Sequence, residues 1–235
     1  MAPKARWWRR PWVAPLFVVT FAFLAFSLPP YFPLDPDRSR LPMRPDFPAH
    51  FPLLVAHIAF GSIALIACCL QVWPWLRRTH PRIHRVTGRV YVLAGVLPAG
   101  LLGIVVGANA VTPGFSGKMG NVTLAVVWLA VTYMGFRMAR QHRHAEHRRW
   151  MIRSFALCTS IVVNRIWVVG LIIALQPFLA SRFHNDQEAL IRAGVEAAIW
   201  LSWIVNLLIA EWWIERRRTS PAAQTPLPVL PHRAT

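Results

Sequence analysis

The sequence predicts an all-α fold, a polytopic integral membrane bundle of about six transmembrane helices with both termini in the cytoplasm. Three observations carry that expectation. Residues 12–32, 53–75, 90–111, 121–139, 150–179 and 193–214 form apolar runs, each near the roughly 20 residues that cross hydrocarbon. Lys and Arg alternate sides along those runs: Lys4 to Arg10, Arg77 to Arg89, Arg137 to Arg149 and Arg216 to Arg218 share one side if every run crosses once. That side is the cytoplasm, because cytoplasmic loops retain the excess of positive charge. Composition agrees, with 55% hydrophobic residues and a mean hydropathy of +0.40.

The first run follows a basic head, an arrangement shared with secretory signal peptides. Its length, the flanking Trp7, Trp8 and Trp12, and Pro29–Pro30 where small residues would permit cleavage favour an uncleaved anchor. Arg9–Arg10 alone does not make a twin-arginine signal. The following loop is rich in Pro and charge and reads as extended and external. Residues 1–52 are therefore an N-terminal anchor and periplasmic loop, residues 53–218 the helix bundle, and residues 219–235, with Pro221, Pro226, Pro228 and Pro231, a disordered cytoplasmic tail.

In the second run His57 is embedded, and Cys68 and Cys69, like Cys158, lie in apolar sequence, so no disulfide framework is implied. Pro81 is expected to open the third helix at its first turn, which stacks His84, Gly88, Tyr91 and Gly95 along one face. Pro98 should kink that helix, and Gly100, Gly103 and Gly107 give it a stripe that admits a close neighbour. The fifth and sixth runs carry Arg153, Arg165, Glu196 and Glu211. Charged residues within a membrane usually pair and face the bundle interior, and matched depths predict Arg153 with Glu211 and Arg165 with Glu196.

The net charge of +17 would point to nucleic acid in a soluble chain. Here the cations sit at helix ends, where they set topology and meet anionic headgroups, so nucleic-acid binding is excluded. The partner is the lipid bilayer, and the expected location is the bacterial inner membrane. No phosphate-binding loop, nucleophile elbow or zinc-protease motif occurs, which argues against hydrolases and ATPases.

The chemistry is concentrated in two His- and Arg-rich connections, residues 77–91 and 140–154. His57, the pattern His84-x-x-x-Gly88-Arg89-x-Tyr91, the pattern His147-x-x-Trp150-Met151-x-Arg153-Ser154, and Arg165 resemble the bacterial predicted membrane proteins of domain-of-unknown-function family twenty-three-oh-six, over roughly residues 53 to 178. The resemblance implies a membrane fold and no established activity. Function must be read from the residues themselves.

Two polar clusters are expected: an outer one of His57, Arg165, Glu196 and Asn164, and an inner one of His84, His147, Arg89, Arg153 and Glu211. The leading functional expectation is a redox-type protein that binds one haem b between His84 and His147, exchanging electrons with quinone or a partner. In that reading Arg89 and Arg153 neutralise propionates, Tyr91 anchors at the headgroup level, and Gly88 and Gly95 leave room for the porphyrin. Facing histidines on two helices are the arrangement of bis-His haem ligation, tuned by burial and axial ligand. A divalent metal held by His84 and His147 with His80 and His144 is a further option, because i,i+4 and i,i+3 spacings put two imidazoles on one helix face. The alternative to a cofactor protein is a non-enzymatic transport, sensing or assembly protein whose ion pairs are structural.

Overall fold

The computed structural model describes residues 12–218; expectations for the basic head and the tail fall on residues outside that range. Six of its helices are long and apolar enough to cross a membrane. α1 (Val13–Ser27) ends in a 3₁₀ turn at Pro29–Tyr31, where two consecutive prolines supply no N–H to continue an α-helix. The loop that follows is less extended than expected: Asp35 accepts from the Asp37 N–H at 3.0 Å to start a 3₁₀ turn, and the Arg44 N–H donates to the His50 ring.

α2 spans His50–Val72, and two short helices follow, α3 (Pro74–Thr79) and α4 (Pro81–Arg89). Each opens with Pro at its first position, as the missing N–H permits. α4 continues through a π-helical turn, Val90–Val96, into α5 (Leu97–Asn109). Just before Pro98, where a kink was expected, the helix winds as this π-turn. Pro98 cannot donate to the carbonyl four residues back, and the wider winding, in which the Leu97 N–H reaches Val92 O, absorbs that loss.

α6 spans Phe115–Arg140. The run expected as one helix over residues 150–179 is instead two, α7 (His144–Cys158) and α8 (Ser160–Leu175). The break has a local cause: Thr159 Oγ1 bonds the Phe155 and Ala156 carbonyls at 2.9 and 3.2 Å, and Ser160 Oγ bonds Leu157 O at 2.6 Å. Such back-bonding hydroxyls compete with the ladder and bend helices. After α9 (Leu179–Phe183), α10 (Gln187–Arg218) is capped by Asp186, whose carboxylate accepts from the Ala189 N–H at 2.9 Å.

Packing proceeds around the bundle: α2 against the π-turn and α5, α5 against α6, α6 against α7 and α10, and α10 against α8. α1 lies at the edge on α2, tied by Thr20 Oγ1 and Cys69 Sγ at 3.2 Å. Small residues set these approaches. A Cβ on Gly95 would lie 2.8 Å from the Ala64 Cα on α2, and one on Gly100 would meet Leu129 on α6. The glycine stripe thus serves packing. Ile166, Val169 and Ile173 on α8 stay exposed, an apolar surface suited to lipid rather than water.

Candidate functional site

The arginine-rich end of the bundle carries both His84 and His147. His84 sits one turn into α4, and α2 pins that turn: Gln71 Nε2 donates to His84 O at 3.0 Å and to Thr87 Oγ1 at 2.6 Å. His147 sits in the first turn of α7, with its Nδ1 2.8 Å from the Gly135 carbonyl of α6. A carbonyl only accepts, so Nδ1 carries the proton. The Nε2 lone pair of His147 is then free for another partner, the usual posture of a ligating imidazole. The carbonyl is reachable because Gly135 lets α7 approach; a Cβ there would meet Met151 Sδ at 2.7 Å.

His84 lies within electrostatic reach of His147 and of Arg77. Its Nδ1 is buried without a hydrogen-bond partner among the described residues. An orphaned buried ring nitrogen is the feature of this site that packing leaves unexplained.

Beside the histidines, Arg153 and Glu211 form the expected ion pair, a two-pronged contact at 2.5 Å (Nε to Oε1) and 2.8 Å (a terminal guanidinium nitrogen to Oε2). The Arg153 guanidinium also lies 4.7 Å from the Trp150 ring. Arg89 is exposed, while Arg153 is engaged by Glu211 rather than left for a propionate.

Other expectations are corrected. Tyr91 is no headgroup anchor: it is 1% exposed, with its hydroxyl 2.6 Å from Ser154 Oγ, and Ser154 Oγ is in turn 2.6 Å from Thr132 Oγ1. This chain joins the third, fourth and fifth crossings. The space expected for a porphyrin beside Gly88 and Gly95 is filled by α2, since a Cβ on Gly88 would meet Gln71 and one on Gly95 the Ala64 backbone. The four-histidine metal set does not assemble. His80 packs on Trp75 and bonds Thr79, His144 packs on His142, and among the described residues no three His, Cys, Asp or Glu side chains converge.

The outer cluster does not form either. Arg165 turns to α1, its guanidinium 6.0 Å from the Phe23 ring, Glu196 lies beside Gly114, and no ion pair joins them among the described residues. Register explains the miss. Arg153 with Glu211, Asn206 with Ala156 and Gly194 with Ile172 set α10 so that Arg165 faces about the level of residue 199, roughly one turn from Glu196. The break at Thr159 separates Arg165 from the helix that carries Arg153, and Arg165 turns toward α1. His57 bonds Ala99 O at 2.8 Å over Gly103. Asn164 and Asn121 line a separate cleft of about 50 Å³ with Ser160 and Ser202.

Gln71 and Thr132 escaped sequence reasoning, and Ser154 entered it only through the family pattern, although polar side chains inside apolar runs were the available signal. Family comparison covers the same ground. The model described as "Predicted membrane protein (DUF2306)" matches residues 54–214. The chain belongs to this family. The DUF2306 match runs beyond residue 178 to include α10, and so takes in both partners of the Arg153–Glu211 pair. It leaves out α1. No curated protein and no solved structure matches the chain.

Proposed function

We propose that this DUF2306 protein is a membrane redox carrier in which His84 and His147 would hold one haem b on the side of the pair away from the α2 face that Gln71 and Ala64 fill, exchanging electrons with quinone or a protein partner. The supporting observation is two imidazoles within electrostatic reach of each other: His147, whose Nδ1–H is committed to a backbone carbonyl, and His84, whose buried Nδ1 has no partner among the described residues. Both donors are nitrogen, the set that haem iron accepts in bis-His sites. A bound haem supplies one-electron chemistry. The chain's own residues would orient and tune it: Gly135 fixes the His147 tautomer, Gln71 fixes the α4 turn, and Arg77 adds positive charge beside His84. The alternative, a non-enzymatic membrane protein whose ion pairs are structural, draws support from the Arg153–Glu211 pair.

Absorbance separates the two. Full-length protein expressed with haem supplied is expected to give a Soret band and an α-band in the reduced-minus-oxidised spectrum. His84→Ala and His147→Ala should each abolish both bands while His57→Ala keeps them. A featureless spectrum from folded protein, or loss only on changing His57, overturns the proposal and leaves the structural reading in place.

A further inference from the structure

Four polar side chains from three crossings line one cleft of about 50 Å³: Asn121 on α6, Ser160 and Asn164 on α8, and Ser202 on α10. Ser202 stands at the middle of the candidate span Gln187–Arg217, so the cleft lies at membrane depth. Polar residues at that depth usually act as glue between helices. Here none of the four bonds across to another crossing. Ser160 Oγ donates to Leu157 O at 2.6 Å and Ser202 Oγ to Ile199 O at 2.9 Å, each within its own stretch of chain. Asn121 and Asn164 make no hydrogen bond among the described residues. The cleft also sits where the chain breaks between α7 and α8, and interrupted helices at membrane depth are tolerated where they are buried in protein or line a polar cavity.

We propose that this cleft is a binding site for a small uncharged amide, a urea or a primary carboxamide. Charge makes the first choice. No charged side chain lines the cleft. The charges nearest in sequence point away from it: the Arg165 guanidinium lies beside Phe23 of α1, and Glu196 lies beside Gly114. An ion would be held there without a counter-charge, against the aliphatic wall of Leu124 and Ile199, which is costly. Hydrogen bonding makes the second choice. Both serine hydroxyls commit their protons to backbone carbonyls, so toward the cleft they offer lone pairs only. Each asparagine offers a carbonyl oxygen and an NH₂ side by side, the pairing that another amide answers with its own oxygen and N–H. An amide thus supplies donors to the serine oxygens and partners to the two asparagines at once. Size agrees, because a water needs roughly 10–15 Å³ of such space and the cleft of about 50 Å³ takes a molecule about as large as urea or acetamide. The inference does not rest on haem at the histidine pair, because none of the four residues belongs to that site.

The test uses the full chain in phosphatidylcholine nanodiscs with acetamide as the probe, read by saturation-transfer difference NMR on the probe's methyl protons after subtraction of empty nanodiscs. Acetamide should receive saturation that added urea competes away, whereas acetate, of the same shape but charged, should receive none. Asn121→Leu and Asn164→Leu, close in volume to the native side chains, should each weaken acetamide binding about tenfold, the scale of a lost amide pairing. Asn109→Leu should leave binding unchanged, because that side chain bonds Val105 O of its own helix, away from the cleft. If the leucine variants do not fold, Ser202→Ala, which removes one acceptor oxygen without adding bulk, should weaken binding by a similar factor. Three results overturn the proposal: transfer to acetate equal to that to acetamide, transfer indifferent to changes at the cleft residues, or no transfer from folded protein, which leaves the cleft to water alone. None of them bears on the haem spectrum.

Discussion

At the scale of residues, two polar contacts hold the interior, and they differ in kind. The Arg153 and Glu211 side chains are 21% and 43% exposed, so the pair lies between a solvated surface bridge and a fully buried one. Glu211→Leu or Arg153→Leu should each cost about 1–3 kcal/mol, between the two regimes. The double variant should recover part of the loss. Arg165→Leu and Glu196→Leu should instead add within about 0.5 kcal/mol, as unconnected sites do; denaturation midpoints of the two cycles provide the check. The hydroxyl chain of Tyr91, Ser154 and Thr132 is neutral, and Tyr91→Phe should lower stability by about 1 kcal/mol, the scale of an interhelical hydrogen bond in a membrane. The Arg153–Glu211 pair was legible because intramembrane charge is costly and depth follows from residue number. The Arg165–Glu196 pair was misread because rotation about each helix axis, and not depth alone, decides who meets whom.

Among elements, close approaches depend on a few glycines and not on others. Gly95→Val would drive three extra carbons toward the Ala64 backbone and should cost at least about 3 kcal/mol, the upper range for overpacking. Gly61 and Gly170 have open space around a Cβ. Gly61→Ala and Gly170→Ala should each stabilise by about 0.5–1 kcal/mol through helix propensity alone. The sequence revealed where helices begin, since Pro81 sits at a first turn, and how many cross. It did not reveal the break at Thr159, because a hydropathy run is blind to hydroxyls bonding their own backbone. Nor did it reveal the π-turn before Pro98, which exchanges a sharp bend for wider winding.

For the whole molecule, the arginine distribution predicts a cytoplasmic arginine-rich end. Reporter fusions after Arg85, Arg143 and Arg217 should give cytoplasmic signals, and fusions after Arg44, Gly117 and Asn185 periplasmic ones. An inverted report at any of these sites would mean that one crossing is miscounted. The six candidate crossings were legible in outline from run length alone.

The position of α1, outside the family match and held at the edge of α2, carries a consequence in parity. The matched region contains five crossings, an odd number, so its two ends must emerge on opposite faces of the membrane. Made alone, with its arginine-rich end facing inward, that unit would have to export its own beginning across the bilayer. With α1 in front the count becomes even, and the task passes to an ordinary start signal: a basic head stays behind while the apolar segment carries the following loop through. With the arginine-rich end inside, α1 is then expected to act less as a wall of the bundle than as the device by which the rest of it is threaded the right way round.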